Sequence, residues 1–324
     1  MRNVLVLGGT AWLGAEIACQ FLKNGDSVTC LARGESGRVP NGAIFVQADR
    51  RSADGYRVVA DRSWDEVVEL SCEPALVRGA LGALADRAGH WTLVSSVSVY
   101  ATNSDADADE SATVVTPTDP EDYGQAKVAA EQASQDALHR RLLIVRPGLI
   151  AGPGDGTDRF GYWVGRFALA GTGPVLSPTP ADRAVQVIDV EDLAVFIARA
   201  SGAGVTGVMN AVGESHALAD VLALAADVAG FKGDIVAASD AWLVEHGARF
   251  WAGPRSLPLW LPRTELGFAR RNNTAFRTAG GHLRDLRETV LRTLEAERGL
   301  GLARERRSGL SRAEELDLLD QCSR

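Results

Sequence analysis

Lysine is scarce in this 324-residue sequence, since only three of its 34 basic residues are lysines. The position of any one lysine is therefore informative. The four cysteines show no CxxC spacing and indicate reduced thiols of a cytoplasmic protein. The five histidines show no ligand spacing with cysteine or aspartate, so we expect no metal site.

Long apolar runs are also missing. No segment approaches the roughly 18 consecutive apolar residues that a membrane span needs, and Met1 leads to a strand at Val4 without the layout of a signal peptide. The formal net charge of −8 disfavours binding to nucleic acid or to anionic membranes. We therefore expect a globular cytoplasmic protein that acts on a small-molecule substrate.

What the sequence does contain is an alternation of apolar strands and amphipathic helices in its first half. This pattern predicts an α/β fold with a doubly wound, Rossmann-type parallel sheet over residues 1–150. Residues 151–300 are less regular and are expected to form mainly a smaller substrate-binding domain, some of whose segments could return to the sheet. Residues 301–324 are predicted to be a C-terminal tail with a short helix. The strands of the sheet are predicted at 4–7, 27–32, 44–47, 66–70, 91–95 and 142–146.

A glycine-rich stretch, "GGTAWLG", follows the first predicted strand and opens the first predicted helix. Such a loop places backbone amides and the positive end of the helix dipole where they bind a pyrophosphate. Gly8 is expected to make the tight turn, and Gly14 to let the helix pack against the strand. Ala11 occupies the middle position, where a phosphate could still fit after a small shift. The alternative is an ordinary strand-to-helix turn.

The second predicted strand ends in Arg33 rather than in a carboxylate. A carboxylate there binds the ribose 2′-hydroxyl of NAD, whereas an arginine suits the 2′-phosphate of NADP. We therefore expect NADP(H) in preference to NAD(H), with a solvent-exposed arginine as the alternative. The third predicted strand ends in "VQADR", which places Asp49 and Arg50 near the expected adenine.

The segment "YGQAK" places Tyr123 and Lys127 four residues apart, on one face of a predicted helix. A nearby lysine stabilises a phenolate and lowers the phenol pKa from about 10 towards the working pH. The phenol can then exchange a proton with a carbonyl or alcohol during hydride transfer. Plain helical packing is the alternative.

Upstream, "LVSSVSVY" ends a predicted strand in serines. A hydroxyl at the carboxyl end of a strand can orient a substrate oxygen. Ser96 is one candidate, and Ser95 and Ser98 are the others. A serine that caps a turn is the alternative interpretation.

The motifs "GGTAWLG", "SSVSVY", "YGQAK" and "VRPGLIAGPGD" occur in the order typical of extended short-chain dehydrogenases/reductases. Up to about Leu193 the sequence resembles this NAD(P)-dependent epimerase/dehydratase-like superfamily, and later segments look like a reductase-like bacterial branch. The resemblance implies that Tyr123 is the general acid/base, that Lys127 is its activator and binds the nicotinamide ribose, and that Ser96 is the catalytic hydroxyl. The resemblance also implies that further residues bind the cofactor, namely Thr10, Trp12, Leu13, Leu70, Ser71 and Pro147.

Two departures from the family pattern bear on the reaction. Sugar-nucleotide dehydratases carry Asp and/or Glu after the catalytic hydroxyl, whereas "VSV" follows Ser96 here. Nucleotide-sugar epimerases often carry Asn three residues after the arginine that Arg146 matches, whereas this chain has Leu149. We therefore predict an NADP(H)-dependent oxidoreductase that transfers hydride to or from a less polar carbonyl or alcohol. The alternatives are a nucleotide-sugar 4-epimerase with tightly bound NAD and a non-catalytic NADP-binding regulatory relative.

The substrate contacts are expected from two places. Ser98 and Leu149 lie beside the expected catalytic residues, and Phe160 and Trp163 either line a substrate pocket or pack between domains. The helix after Tyr123 has a face of small residues, which could build a homodimer or simply cover the sheet.

Overall fold

The structure is a computed structural model, and it describes residues 1–322. Within that range the chain forms fourteen strands. They are β1 (Asn3–Leu7), β2 (Ser27–Ala32), β3 (Ile44–Gln47), β4 (Trp64–Glu69), β5 (Ala88–Val94), β6 (Leu142–Pro147), β7 (Leu149–Ala151), β8 (Val175–Pro178), β9 (Ala184–Asp189), β10 (Gly207–Ala211), β11 (Ser215–Ala217), β12 (Ile235–Ala238), β13 (Arg249–Phe250) and β14 (Ser256–Leu257).

Eleven α-helices connect or cover these strands in the same part of the chain. None of them is both long enough and apolar enough to cross a lipid bilayer. They are α1 (Trp12–Lys23), α2 (Arg57–Ala60), α3 (Pro74–Leu84), α4 (Tyr123–Leu138), α5 (Arg159–Ala170), α6 (Val190–Gly202), α7 (Leu218–Ala229), α8 (Asp240–Glu245), α9 (Thr274–Thr278), α10 (Leu286–Leu300) and α11 (Arg312–Cys322).

Seven strands form one parallel sheet in the order β10-β6-β5-β4-β1-β2-β3. The chain passes from β1 outward to β2 and β3, and then returns to the other side of β1 with β4. The order thus reverses beside β1, and in such sheets ligands bind in the crevice beyond the carboxyl ends of the strands at that point. The predicted doubly wound, Rossmann-type fold is confirmed.

Helices cover both faces of this sheet, which explains why β1 is apolar at successive positions. Val4 and Val6 belong to a core cluster that includes side chains of α1 and α6, and Leu5 and Leu7 to a cluster with side chains of α3 and α4. All four residues are fully buried. Alternate side chains of a strand point to opposite faces, so a strand covered on both sides needs apolar residues throughout.

The C-terminal half builds a second core from α5, α7, α10 and the strands around β8 and β9. It forms a three-stranded sheet in the order β11-β9-β7 and the parallel pair β12-β8. Large aromatic side chains fill this core, among them the buried Trp163, Phe167 and Trp260.

One strand of the central sheet comes from this later half of the chain. β10 pairs in parallel with β6, and α6 packs on α1. The central layer therefore draws on residues beyond 150, while the domain boundaries proposed from the sequence stay predictions.

Candidate active site

The segment from the end of β1 to the first turn of α1 requires glycine at several positions, among them Gly8 and Gly14. Gly8 has a backbone φ of +101°, a conformation that side-chain-bearing residues rarely adopt. A Cβ on Gly14 would lie 2.4 Å from the carbonyl oxygen of Gly8, so α1 can pack on the loop only without a side chain there. The sequence assigned these two glycines the same roles.

The N-terminus of α1 offers its backbone amides to an anion. Ala11 is the N-cap residue in an extended conformation, no side chain caps the helix, and the first turn holds no acidic residue. Free amides and the helix dipole at such an end favour a phosphate group. The loop therefore fits the pyrophosphate of a dinucleotide, with Thr10, Ala11, Trp12, Leu13 and Gly14 as the residues that would hold it.

Two cavities flank the glycine loop. The first, called here the β2–β3 cavity, has a volume of about 230 Å³ and lies beyond the carboxyl ends of β2 and β3. The second, the β5–β6 cavity, has a volume of about 520 Å³ and lies beyond the ends of β5 and β6. Ala11 and Leu70 line both cavities, so one elongated ligand could occupy the two.

Charged side chains line the β2–β3 cavity. Arg33 is half-exposed, and its guanidinium lies 3.1 Å from the carboxylate of Glu35. Asp49 and Arg50 also line the cavity, in the region where the sequence placed the adenine. Glu35 lies three residues beyond the end of β2, so the motif at the strand end does not mark it.

The side chain of Arg50 is occupied by the protein itself. Its guanidinium donates to both carboxylate oxygens of the buried Glu69, at 3.0 Å for one of them, and to the hydroxyl of Tyr56 at 2.9 Å. Arg50 therefore supports the wall of the cavity from behind.

The catalytic residues predicted from the sequence meet in the β5–β6 cavity, which Ser96, Ser98, Tyr123 and Lys127 all line. Asp122 is the N-cap of α4 and accepts a hydrogen bond from the backbone amide of Gln125 at 2.8 Å, which sets the start of the helix. A Cβ on Gly124 would lie 2.4 Å from the carbonyl oxygen of Ser98. The first turn of α4 can therefore pack directly on the turn that follows β5, and this brings tyrosine and serine together.

Lys127 is buried and bridges the ends of two strands. Its ammonium donates to three carbonyl oxygens, those of Val94 at 2.6 Å, Ser71 at 3.1 Å and Leu70 at 3.4 Å. Burial lowers the pKa of Lys127 to about 8, a shift that the nearby Cys72, Glu69 and Glu131 oppose.

The hydroxyls beside Lys127 form a second polar group. The Ser96 hydroxyl accepts a hydrogen bond from the amide of Ser98 and donates to its hydroxyl, both at 3.1 Å. Burial raises the pKa of Tyr123, although 49% of the residue is exposed at the cavity. A hydrogen bond with Ser96 and the positive charge of Arg159 offset part of that rise. The sequence predicted a pKa lowered by Lys127, so the direction found here is the opposite, and the phenol is protonated at neutral pH.

The far wall of this cavity comes from residues that were not assigned to the site. Arg159 stands at the start of α5, and its guanidinium lies over the ring of Trp251, 5.2 Å from its centre. Trp251 in turn meets the ring of Phe268 edge to face, with centroids 5.3 Å apart. All three line the cavity. Arg159 and Trp251 are far apart in the sequence, and only the fold brings them together.

Trp12 fastens the glycine loop to the segment that precedes α5. Its indole N–H donates to the carbonyl oxygen of Pro153 at 2.8 Å. Gly154 has a φ of +87°, and a Cβ there would lie 3.1 Å from the indole ring. The two segments thus form one continuous wall.

The remaining predicted residues divide into two groups. Pro147 and Leu149 line the β5–β6 cavity, and Ser71 lines the β2–β3 cavity. Phe160 and Trp163 do not reach either cavity wall. Both are buried in the C-terminal core, and the indole N–H of Trp163 donates to the carbonyl oxygen of Pro258 at 2.6 Å. The packing alternative describes these two residues, because the helix that carries them faces the second core.

Comparisons with known proteins identify the family and the fold of the chain. Residues 4–211 match the model of the NAD dependent epimerase/dehydratase family. No curated protein matches the chain. Residues 1–322 contain no group of three or more His, Cys, Asp or Glu side chains arranged to hold a metal ion.

Several solved structures share the fold across almost the whole chain. A proposed epimerase from Burkholderia cenocepacia J2315 is 22% identical and has a TM-score of 0.71, with 92% of this chain and 98% of that chain covered. UDP-Glc/GlcNAc 4-epimerase from Campylobacter jejuni is 14% identical, with a TM-score of 0.68 and coverage of 92% and 100%. UDP-glucose 4-epimerase from Thermus thermophilus, solved with NAD, is 19% identical, with a TM-score of 0.61 and the same coverage.

Proposed function

We propose a specific reaction for this chain, which belongs to the NAD dependent epimerase/dehydratase family. It transfers hydride between a nicotinamide dinucleotide and a carbonyl or alcohol substrate, with Tyr123 as the general acid/base. The observation that carries the proposal is that Tyr123, Lys127 and Ser96 line one cavity beside the glycine loop. When bound, the dinucleotide supplies the hydride donor or acceptor, and the amides at the start of α1 would hold its pyrophosphate.

The three side chains have distinct roles in this proposal. The phenol of Tyr123 is protonated at neutral pH and can donate its proton to a carbonyl oxygen, which is the reductive direction. The Ser96 hydroxyl orients that oxygen. Lys127 holds the ends of β4 and β5 in register and places a positive charge below the site, which favours negative charge developing on the substrate oxygen.

Two apolar positions favour reduction of a carbonyl: Val97 argues against dehydration, and Leu149 argues against epimerisation of a nucleotide sugar. Val97 and Leu149 line the cavity at positions where dehydratases and epimerases of the superfamily carry polar residues. The structural neighbours that are 4-epimerases supply the second candidate, a nucleotide-sugar 4-epimerase with tightly bound NAD. We further propose NADP(H) as the cofactor, because Arg33 lines the cavity beyond β2.

The reaction is tested with the full chain, NADPH or NADH, and a panel of aldehydes and ketones, by following nicotinamide absorbance. Tyr123→Phe should lower kcat by roughly a hundredfold or more, since positioned general acids contribute about 10²–10⁴. Tyr162→Phe removes the same hydroxyl from the buried C-terminal core and should leave kcat within about twofold, because Tyr162 lines neither cavity.

Other outcomes have defined meanings. Turnover of UDP-sugars without net change in nicotinamide absorbance, together with copurified NAD, would favour the epimerase. Dinucleotide binding with no turnover that depends on Tyr123 would favour the non-catalytic alternative.

A further inference from the structure

We infer that Arg159 is the receptor for an oxyanion, a carboxylate or a phosphate, carried by the substrate of the β5–β6 cavity. This inference rests on the proposed function, and it names the class of substrate. Arg159 lies at the first position of α5, partly buried, and lines the same cavity as Tyr123 and Ser96.

The guanidinium of Arg159 is held in place through its Nε, and its terminal nitrogens are available to a ligand. Its Nε donates to the Thr157 hydroxyl at 3.2 Å, and its plane lies over Trp251. Within residues 1–322 the two terminal nitrogens have no hydrogen-bond partner, and no carboxylate lies within 4.0 Å of them. A fixed guanidinium with two free N–H₂ groups matches the two oxygens of a carboxylate or phosphate.

An acidic side chain in the same cavity forms no ion pair with this arginine within residues 1–322. Asp155 lines the same cavity, but one of its oxygens accepts from the Thr157 amide at 2.8 Å and the other from the Thr157 hydroxyl at 3.0 Å. Asp155 therefore fixes Thr157, which in turn fixes Arg159. These contacts orient Arg159 and leave its two terminal nitrogens available to a ligand.

The surrounding wall indicates what else the ligand carries. Trp251 presents an aromatic ring to the guanidinium, Phe268 packs against Trp251 in the same wall, and Val97 and Leu149 are apolar. A ligand that matches this wall has an acid group for Arg159, an apolar body for the aromatic and aliphatic side chains, and a carbonyl near Tyr123. Substrates of this class are oxo acids and oxo phosphates rather than neutral ketones.

The inference is tested by calorimetry on the NADP⁺-loaded protein with matched pairs of probes. Benzoylformate and levulinate are compared with their methyl esters, and dihydroxyacetone phosphate with dihydroxyacetone. We expect at least one anion to bind roughly tenfold or more tightly than its neutral partner, because only the anion can accept charge-assisted hydrogen bonds at both oxygens. The pair that shows the preference identifies the oxyanion as carboxylate or phosphate.

Arg159→Gln should abolish this preference and leave the Kd for NADP⁺ within about twofold. Arg62→Gln is the matched control, since Arg62 also lies over a tryptophan ring, 4.5 Å from its centre, but does not line either cavity. Equal binding of anion and neutral partner in every pair, or a preference that survives in Arg159→Gln, would overturn the inference. Failure of NADP⁺ and NAD⁺ to bind the unmodified chain would instead overturn the proposed function.

Discussion

The two cavities beside the glycine loop differ in how their basic side chains are balanced. In and around the β2–β3 cavity each of three arginines contacts a carboxylate of the same wall. The pairs are Arg33–Glu35 at 3.1 Å, Arg51–Glu73 at 2.6 Å and Arg50–Glu69. This wall is therefore close to neutral before any ligand arrives.

In the β5–β6 cavity the two basic side chains lack such partners. Lys127 is held by carbonyl oxygens, and Arg159 by a hydroxyl and an aromatic ring. Neither has a carboxylate within 4.0 Å in residues 1–322. A buried or half-buried positive charge without an ion-pair partner costs stability, and it is retained where a ligand or a reacting oxygen supplies the negative charge. We therefore interpret the β2–β3 cavity as the end of the site that binds the dinucleotide and the β5–β6 cavity as the end where the reaction takes place.

The largest effect is expected from a side chain added where α1 packs on the glycine loop, between the two cavities. Gly14→Ala would place a Cβ 2.4 Å from a carbonyl oxygen and 3.0 Å from the Cα of Gly9, so backbone would have to move. We expect a loss of stability of about 3 kcal/mol, at the upper end for overpacking, and a loss of NADP⁺ affinity of roughly a hundredfold. Thermal unfolding and calorimetry measure the two effects.

The control for this variant is Gly82→Ala. Gly82 lies in α3, where an added Cβ meets no atom within 4 Å, so alanine should stabilise the chain by about 0.5–1 kcal/mol through helix propensity. A Gly14→Ala protein that binds NADP⁺ as tightly as the unmodified chain would show that the loop does not hold the dinucleotide.

The second prediction concerns the buried charge of Lys127. Its pKa is about 8 in the folded chain against 10.5 ordinarily, so between these values the unfolded chain binds the extra proton and stability rises with pH. The rise should amount to at most about 3 kcal/mol and should be complete above pH 10.5. Below pH 8 both states are protonated and this contribution is constant.

Urea unfolding from pH 7 to pH 10.5 measures this rise. Lys127→Met should flatten the profile, whereas Lys23→Met, which replaces an exposed lysine, should run parallel to the unmodified chain. Other groups also titrate in this range, but they are common to all three proteins, so the difference isolates Lys127. Parallel profiles for Lys127→Met and the unmodified chain would contradict the assignment of an uncompensated buried charge.

Sequence reasoning succeeded where the information is local. Strands β2 and β3 coincide with their predicted ranges because each is a short apolar run with polar residues or turns on both sides. The placement of Tyr123 and Lys127 on one helix was predictable because their spacing is visible in the sequence.

Contacts between distant segments were not predictable in this way. β10 has only five residues, includes Asn210, and pairs with a strand about sixty positions earlier, so no local pattern marked it as part of the central sheet. Arg159 gains its role from Trp251, which is distant in sequence and adopts a positive φ of 66°. Phe160 and Trp163 share a helix with Arg159 but face the second core, a choice that depends on how α5 packs.

The smallest effect is expected for substitutions in the β2–β3 cavity, whose arginines are paired with carboxylates. Arg33 and Glu35 are both exposed, so their ion pair is weak and a ligand can compete for either partner. If Arg33 binds the 2′-phosphate, Arg33→Gln should weaken NADP⁺ binding roughly tenfold, about 1.4 kcal/mol, and leave NAD⁺ binding unchanged. Glu35→Gln should strengthen NADP⁺ binding by about threefold, because it frees the arginine.

Calorimetric titrations of the unmodified chain and each variant with both dinucleotides give the Kd values. Arg38→Gln provides a control that removes an exposed charge outside the cavity lining. If instead Glu35→Gln weakens NAD⁺ binding and Arg33→Gln leaves NADP⁺ binding unchanged, the carboxylate is the group that reads the ribose, and the cofactor is NAD. In that case Glu35, and not Arg33, determines which dinucleotide is preferred. The β2–β3 cavity would then attract a ribose hydroxyl, while the positive charge of the site would remain confined to Lys127 and Arg159.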